Sequence, residues 1–247
     1  MRFFEIVAHR GAPDTAPENT LPAFQHAIAL GAEAVELDVR LTSDQVPVVY
    51  HYFYLNNAAS TGPIFSYTFD QLQKTPLVDS SGREYRIPAL QEILEAIGGQ
   101  IGLEIEIKGP ELESAGVIGA LLRRFSHLHE RVEVTSYEPA LLIDFRLHCP
   151  GVPTDLLFPR SEDWMKPDVL IYLAIHRCRL ARARAVHLQP AQLSSTVVSA
   201  IQEQVIAVHA WDVNDEGALK TVTGLDIPRL CTDKLQQALA FRRMRFS

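Results

Sequence analysis

Short runs of β-branched and apolar residues recur along the chain, each separated from the next by a longer stretch of helical spacing. This alternation constrains the fold more than any other feature of the sequence, because it is the pattern of βα units around a parallel sheet. Strands are read at residues 3–8, 34–39, 46–51, 102–108, 132–136, 154–158, 185–188, 205–210 and 229–231, and helices at 21–30, 90–96, 113–125, 139–147, 192–203 and 216–223. A closed α/β barrel has eight strand places, so one of these nine candidates lies outside it. The weakest by sequence is 154–158, followed by 229–231. A chain of 247 residues suits one such barrel or two small domains. No linker, repeat or low-complexity tract divides it, and residues 1–247 are read as a single domain.

Two places break the alternation. Residues 40–45 are too few for a crossover helix, which parallel neighbours need, although an extended segment of six residues reaches about 20 Å. Residues 52–86, rich in Asn, Ser, Thr, Gly and aromatics, form a long insertion of the kind that makes a lid or small subdomain. Its aromatics Tyr52, Phe53, Tyr54, Phe65 and Tyr67 are expected to supply the insertion's own core, the alternative being a face for an organic cation or acyl chain.

Charge narrows the partners. With 23 basic and 30 acidic residues the net charge is 23 − 30 = −7, which disfavours nucleic acid and anionic membrane surfaces but not a small anion held locally. Cys149, Cys178 and Cys231 form no CxxC pair, as expected for buried thiols in a reducing compartment. The first seven residues read as a strand rather than an export signal, and the apolar run 169–175 is too short to span a membrane. A cytoplasmic location without a membrane anchor is the expectation. The cluster Arg242-Arg243-Met244-Arg245 is read as a solvated helix end.

The chemistry-bearing residues gather at strand ends. His9-Arg10-Gly11 follows the first strand, and His51 closes the third. Glu36 and Asp38 are two apart on the second strand and so share a face, as do Glu104, Glu106 and Lys108 on the fourth. In a parallel barrel such ends open on one mouth, where active sites are built. Each motif alone has a plainer reading, a solvated sheet face or a hydrogen-bonded loop histidine. Their coincidence on one alternating pattern argues for a site. Four inward carboxylates repel one another unless a cation neutralises them, and oxygen ligation favours Mg2+, Ca2+ or Mn2+ over Zn2+. Two histidines, titrating near neutrality, are then free to serve as general base and general acid.

These residues resemble the glycerophosphodiester phosphodiesterases. The resemblance rests on His9-Arg10-Gly11, Pro17-Glu18-Asn19-Thr20, Glu36-Leu37-Asp38-Val39, Val48-Val49-Tyr50-His51, Ile87-Pro88-Ala89-Leu90, Glu104-Ile105-Glu106-Ile107-Lys108, Trp211-Asp212-Val213-Asn214 and Thr232-Asp233, and it spans nearly the whole chain in order. It implies a (β/α)8 TIM-type barrel, with a small insertion after the third strand, that hydrolyses glycerophosphodiesters to sn-glycerol 3-phosphate and an alcohol with one divalent cation. The family's metal carboxylates fall on Glu36, Asp38 and Glu106, its acid/base histidines on His9 and His51, its phosphate-binding places on Arg10 and Lys108, and a mouth aromatic on Trp211. Glu104 stands behind the ligands, while Glu18 and Asn19 are expected to brace the loop, with Asn19 and Thr20 capping the first helix. The chain departs from the family where Tyr52 follows His51 in place of Asp, where Asn57-Ala58-Ala59 replace Arg-Thr-Thr, and where Asp212 replaces Thr.

Related barrels suggest His9 as base and His51 as acid, with the substrate's 2-hydroxyl or a water as nucleophile. A lysophospholipase D-type activity is the rival on the same machinery, and a non-catalytic phosphodiester-binding barrel is the rival from another class. The preferred alcohol and the oligomeric state are not legible in the sequence.

Overall fold

The computed structural model describes residues 4–13, 16–55, 62–79, 81–109 and 111–246, so Asn57-Ala58-Ala59 lie outside the described residues. The chain runs β1 (Glu5–Ala8), α1 (Leu21–Leu30), β2 (Ala34–Leu41), β3 (Pro47–Val49), α2 (Phe69–Gln73), β4 (Leu77–Val78), β5 (Glu84–Tyr85), α3 (Leu90–Ile97) and β6 (Gly102–Ile107). It continues α4 (Leu112–Arg124), β7 (Val132–Ser136), α5 (Pro139–His148), β8 (Thr154–Leu157), α6 (Pro167–Ala181), β9 (Ala185–Leu188), α7 (Ser195–Gln202), β10 (Ala207–Ala210), α8 (Glu216–Gly224), β11 (Arg229–Thr232) and α9 (Leu235–Phe246). Strands β1, β2 and β6 to β11 pair in parallel and close on themselves through the β1–β2 and β1–β11 contacts, making the expected (β/α)8 barrel.

Strand alternation divides the barrel into two environments. On β2 and β6 the outward residues Leu37, Val39, Ile105 and Ile107 are fully buried with Phe24 of α1, Leu94 of α3 and Ile118 of α4. Burying each such side chain contributes about 1.5–3 kcal/mol, so the strand–helix layer is the main apolar core. The inward residues Glu36, Asp38, Glu104 and Glu106 are buried as well, and they fill the lumen with charge.

The strand outside the barrel is β3, not 154–158 or 229–231. Those two weak candidates are barrel strands β8 and β11, paired in parallel with both neighbours. The short link after β2 closes a hairpin instead of crossing the barrel. Gln45 takes φ +59°, its N–H donates to Thr42 O at 2.9 Å, and Val46 N–H donates to Thr42 Oγ1 at 2.9 Å. β3 therefore runs antiparallel to β2, Val49 facing Val39. Because β2 outlasts β6 at the rim, this return carries the chain back down and delivers His51 to the mouth.

Two other expectations are corrected, and one helix is not read from the sequence. Helix α6 contains the apolar run 169–175, and its buried stripe Leu170, Ala174, Cys178 and Ala181 has helical spacing that β-branched neighbours obscure. The basic end of α9 is not simply solvated, since Arg242 Nη1 donates to Phe4 O at 3.0 Å and to Glu33 Oε2 at 2.8 Å, fastening the helix to the start of β1. In the insertion, the apolar cluster of Val48, Tyr50, Leu55, Ile64, Leu72 and Ile87 admits Tyr67 but leaves Tyr52, Phe53, Tyr54 and Phe65 exposed. Phe53 instead lies under the Arg40 guanidinium, 4.0 Å from ring centroid to Cζ. Among the described residues, no helix is long and apolar enough to cross a membrane.

Thr42 anchors the hairpin that carries His51, its hydroxyl also donating to Asp44 Oδ1 at 2.6 Å. Thr42→Val is expected to cost about 1–2 kcal/mol in chemical denaturation, since a turn amide loses its acceptor. Unchanged stability would show that the hairpin is held from elsewhere.

Candidate active site

The β2–β6 register sets the site. Glu36 faces Glu104 and Asp38 faces Glu106 across the pair, and the first turn after β1 lies beside them. That turn is shaped by backbone choices. Gly11 has φ +91°, and a Cβ there would lie 2.8 Å from the Ala23 carbonyl carbon, so only glycine lets the turn rest on α1. Arg10 and Asn19 also take left-handed φ, +53° and +58°.

Glu36, Asp38 and Glu106 each bring one oxygen within a common 4.8 Å span, and all are buried. Glu36 Oε1 is buried without a hydrogen-bond partner, as expected of an atom that faces a cation site. An all-carboxylate donor set of this kind fits a hard divalent ion. Glu104 is separate from this group. Its Oε1 lies 3.5 Å from His187 Nδ1 and its Oε2 3.5 Å from Arg229 Nη2.

The expected phosphate-binding cations converge on the same carboxylates. Lys108 Nζ lies 2.8 Å from Glu106 Oε1 and 3.2 Å from Asp38 Oδ1. Arg10 Nε lies 3.1 Å from Asp38 Oδ2, its Nη1 donates to both Glu18 oxygens at 3.1 Å, and its backbone N–H donates to Glu36 Oε2 at 3.1 Å. Glu18 braces Arg10, as expected. Asn19, however, is not a helix cap. Its Nδ2 donates to Asp38 Oδ2 at 2.8 Å and its Oδ1 accepts from Asp38 N–H at 3.2 Å, so it fixes the carboxylate. Thr20 holds the N-cap place of α1 without a side-chain cap, its hydroxyl donating to Pro17 O at 2.6 Å.

The two histidines stand in different surroundings. His9 Nδ1 is 2.5 Å from Asp233 Oδ1, and its Nε2 lies 3.8 Å from Glu36 Oε2. Asp233 is fixed in turn by Asn214, whose Nδ2 donates to its Oδ2 at 2.7 Å. The Asp233 role was not legible in sequence, the two residues being 224 apart in the chain, although the Thr232-Asp233 motif marked the place. His51 Nδ1 is buried without a hydrogen bond, and its ring meets Tyr52 edge-on at 4.7 Å. Buried Arg40, also unforeseen, holds the backbone here, its Nε donating to His51 O at 2.9 Å. Trp211 lies across the mouth in a T-shaped contact with Tyr137, and Arg160 pairs with Asp212 at 2.7 Å. His9, Arg10, His51, Glu106, Lys108 and Trp211 all line one cavity of about 320 Å3.

Protonation follows burial and charge. Burial, with Asp38, Glu106 and Glu104 nearby, raises Glu36 well above the usual carboxylate range. Burial and then Asp38 push Glu106 up to about 7, against the pull of Lys108. Asp38 stays below its ordinary value because Lys108 and Arg10 outweigh the opposing effect of burial. His51 falls to about 4, since burial and the cations Lys108, Arg10 and Arg40 outweigh the attraction of Asp38.

Sequence comparison matches residues 9–237 to the Glycerophosphoryl diester phosphodiesterase family. A glycerophosphodiester phosphodiesterase of Bacillus altitudinis is 28% identical, the match covering 96% of this chain and 98% of the relative. Among solved structures, an Oleispira antarctica phosphodiesterase in complex with the product sn-glycerol-3-phosphate superposes with TM-score 0.79 at 24% identity, over 96% of each chain. A Thermotoga maritima glycerophosphodiester phosphodiesterase superposes with TM-score 0.76 at 24% identity, over 98% of this chain and 99% of that one. At these identities the superpositions speak for the fold.

Glu106 at about 7 and Glu133, which burial raises to about 8, stand far above an unfolded carboxylate near ~4.3. The folded protein therefore holds more protons than the unfolded chain through this window, and stability falls as pH rises through it. For chelator-treated protein the thermal midpoint is expected to drop between about pH 6.5 and pH 8.5, with a smaller drop in Glu106→Gln. The opposing change from His51 ends where an unfolded imidazole titrates, near ~6.5, and weighs only on the lower edge of that window. A midpoint that is flat or rising in wild type would contradict the charge assignment.

Proposed function

The chain belongs to the glycerophosphoryl diester phosphodiesterase family, and on that premise we propose that residues 1–247 act as one catalytic barrel hydrolysing glycerophosphodiesters to sn-glycerol 3-phosphate and an alcohol. The observation that carries this reading is the convergence of Glu36, Asp38 and Glu106 beside His9 and His51. The product held by the Oleispira antarctica neighbour supports the substrate class. The mouth cavity is lined mainly by charged and polar groups, which favours a small polar substrate over a lysophospholipid.

Glu36, Asp38 and Glu106 are the residues that would hold one divalent cation, Mg2+ or Ca2+ with Mn2+ as a third option. Such an ion supplies charge to polarise the phosphodiester oxygens. The rest of the chemistry falls to the chain's own side chains. Arg10 and Lys108 bind the phosphate, drawing on positive charge already concentrated at the site. Trp211 walls the pocket beside it. His9 is the base. Asp233 accepts from Nδ1–H and leaves Nε2 free to take the nucleophile's proton, so Asp233 is a positioning residue. His51 is the acid that protonates the leaving alcohol. Its ring is neutral in the free site, and the negative phosphate raises its proton affinity on binding. The nucleophile is the substrate's 2-hydroxyl or a water. The three buried free thiols suit a reducing compartment, and a cytoplasmic location goes with this reading.

The test is release of glycerol 3-phosphate from several glycerophosphodiesters by metal-loaded protein. EDTA is expected to abolish it, and His9→Ala, His51→Ala and Glu106→Ala each to lower kcat by about 10^2–10^4. Binding without turnover would leave a phosphodiester-binding barrel instead. Faster turnover of lysophosphatidylcholine than of glycerophosphocholine would favour the lysophospholipase D activity.

Asp233→Asn is expected to lower kcat with little change in KM and to shift the acidic limb of the pH–rate profile, which the base His9 sets and which a purely structural role would not move. Full activity on a substrate lacking the 2-hydroxyl excludes a cyclic-phosphate route.

A further inference from the structure

The lumen holds a second convergence of donor atoms that the proposed reaction does not use. Asp155 on β8, His187 on β9 and His209 on β10 come from three consecutive strands, and all three are buried. Asp155 Oδ2 lies 3.4 Å from His187 Nε2 and 3.6 Å from His209 Nδ1, and the two ring nitrogens are 3.1 Å apart. We propose that these three atoms form a transition-metal site, suited to Zn2+ or an ion of the same class and separate from the three-carboxylate group at the mouth.

Four features of the site carry this. The first is spacing. Ligand atoms about 2.0–2.2 Å from a shared tetrahedral ion stand roughly 3.3–3.6 Å from one another, close to the triangle seen here. Hydrogen bonds serve such a triangle poorly, because each N–H points along only one edge and the facing lone pairs on the others repel. A central cation satisfies all three atoms together.

The second feature is donor type. Two imidazoles and one carboxylate suit Zn2+, Co2+, Ni2+ or Fe2+, whereas the mouth group is oxygen only. The third is the support behind the ligands. His187 Nδ1 is buried without a hydrogen-bond partner and faces Glu104 Oε1 at 3.5 Å, the carboxylate-behind-histidine arrangement that orients a metal-binding ring. Arg184 holds Asp155 through both oxygens, at 3.1 and 2.7 Å, which fixes the carboxylate and leaves each oxygen a further lone pair.

The fourth feature is charge. Around the triangle, Glu5, Glu104, Glu133 and Asp155 face Arg184 and Arg229, four carboxylates against two guanidiniums. The excess around the triangle is acidic, and a cation among the ligand atoms offsets it. An entrance exists as well. A cavity of about 630 Å3 at the end of the barrel away from the mouth is lined by His209, Glu133, Arg184 and Arg229.

Cobalt reads the site directly, because nitrogen-ligated Co2+ of low coordination number absorbs strongly in the visible and six-coordinate oxygen-ligated Co2+ does not. Chelator-stripped wild type and Glu106→Gln, titrated with Co2+ alone, are expected to develop the band at one ion per chain, and Zn2+ is expected to bleach it. His187→Gln and His209→Gln, checked for folding by circular dichroism, are expected to lose at least about tenfold of that absorbance. A band that persists in both folded histidine variants, or never forms in wild type, overturns the proposal. Should the variants not fold, anomalous diffraction from zinc-loaded wild-type crystals decides. A peak among Asp155, His187 and His209 supports the site, and its absence at a zinc concentration that fills the mouth overturns it.

Discussion

Two parallel neighbours, β2 and β6, place four carboxylates in register across one ladder, Glu36 opposite Glu104 and Asp38 opposite Glu106. Like charges directly opposite on a sheet face are destabilising, and burial makes the conflict worse. Much of the surrounding structure answers that conflict. Lys108 at the end of β6 reaches Asp38 and Glu106, Arg10 from the β1 turn reaches Asp38, and Arg229 from β11 approaches Glu104. Asn19 adds two neutral hydrogen bonds to Asp38. The compensation is incomplete at Glu36, where one oxygen has no partner. An incompletely neutralised cluster in a low-dielectric lumen attracts a cation.

Spacing within a strand or helix is what the sequence made legible. Two-residue spacing put Glu36 with Asp38 and Glu104 with Glu106 on inward faces, and the barrel confirms both placements. What was not legible depends on contacts between distant segments. Asp233 meets His9 across 224 residues, and nothing local to either announces the pair. Asn19 resembles a helix cap in its own segment and is drawn from that role by Asp38 on the neighbouring strand. The β3 hairpin is hidden in the sequence for a different reason. Residues 42–45 form a tight turn through a left-handed Gln45 rather than a glycine, so the usual turn signal is missing. Helix α6 was obscured by the β-branched residues on its flanks.

The departures from the family pattern that fall on described residues also make local physical sense. Tyr52, where Asp is usual, leans edge-on against His51, and burial and the nearby Glu18 hold its hydroxyl above the ordinary tyrosine range. A neutral side chain thus stands beside His51 while Glu18 keeps the negative charge near Arg10. Asp212, where Thr is usual, accepts from Arg160, Gln189 and Asn214 at 2.7–2.8 Å. Arg160 answers the added charge at the rim, so the two changes alter the shape and hydrogen bonding of the entrance more than its net charge.

A barrel interior is usually packed by layers of branched apolar side chains. Here Glu104, Glu133, Asp155, His187 and His209 occupy much of that space, and the apolar core lies between the strands and the helices. Removing one partner from a buried ion pair costs about 3–5 kcal/mol, whereas replacing a whole pair by apolar groups is often neutral or stabilising. A network of this kind is therefore poor value as a device for stability. It becomes intelligible if the charges have work at both ends of the lumen, with hard oxygen donors toward the mouth and imidazole nitrogens toward the opposite opening. Glu104 joins the two halves, facing Glu36 on one side and His187 on the other.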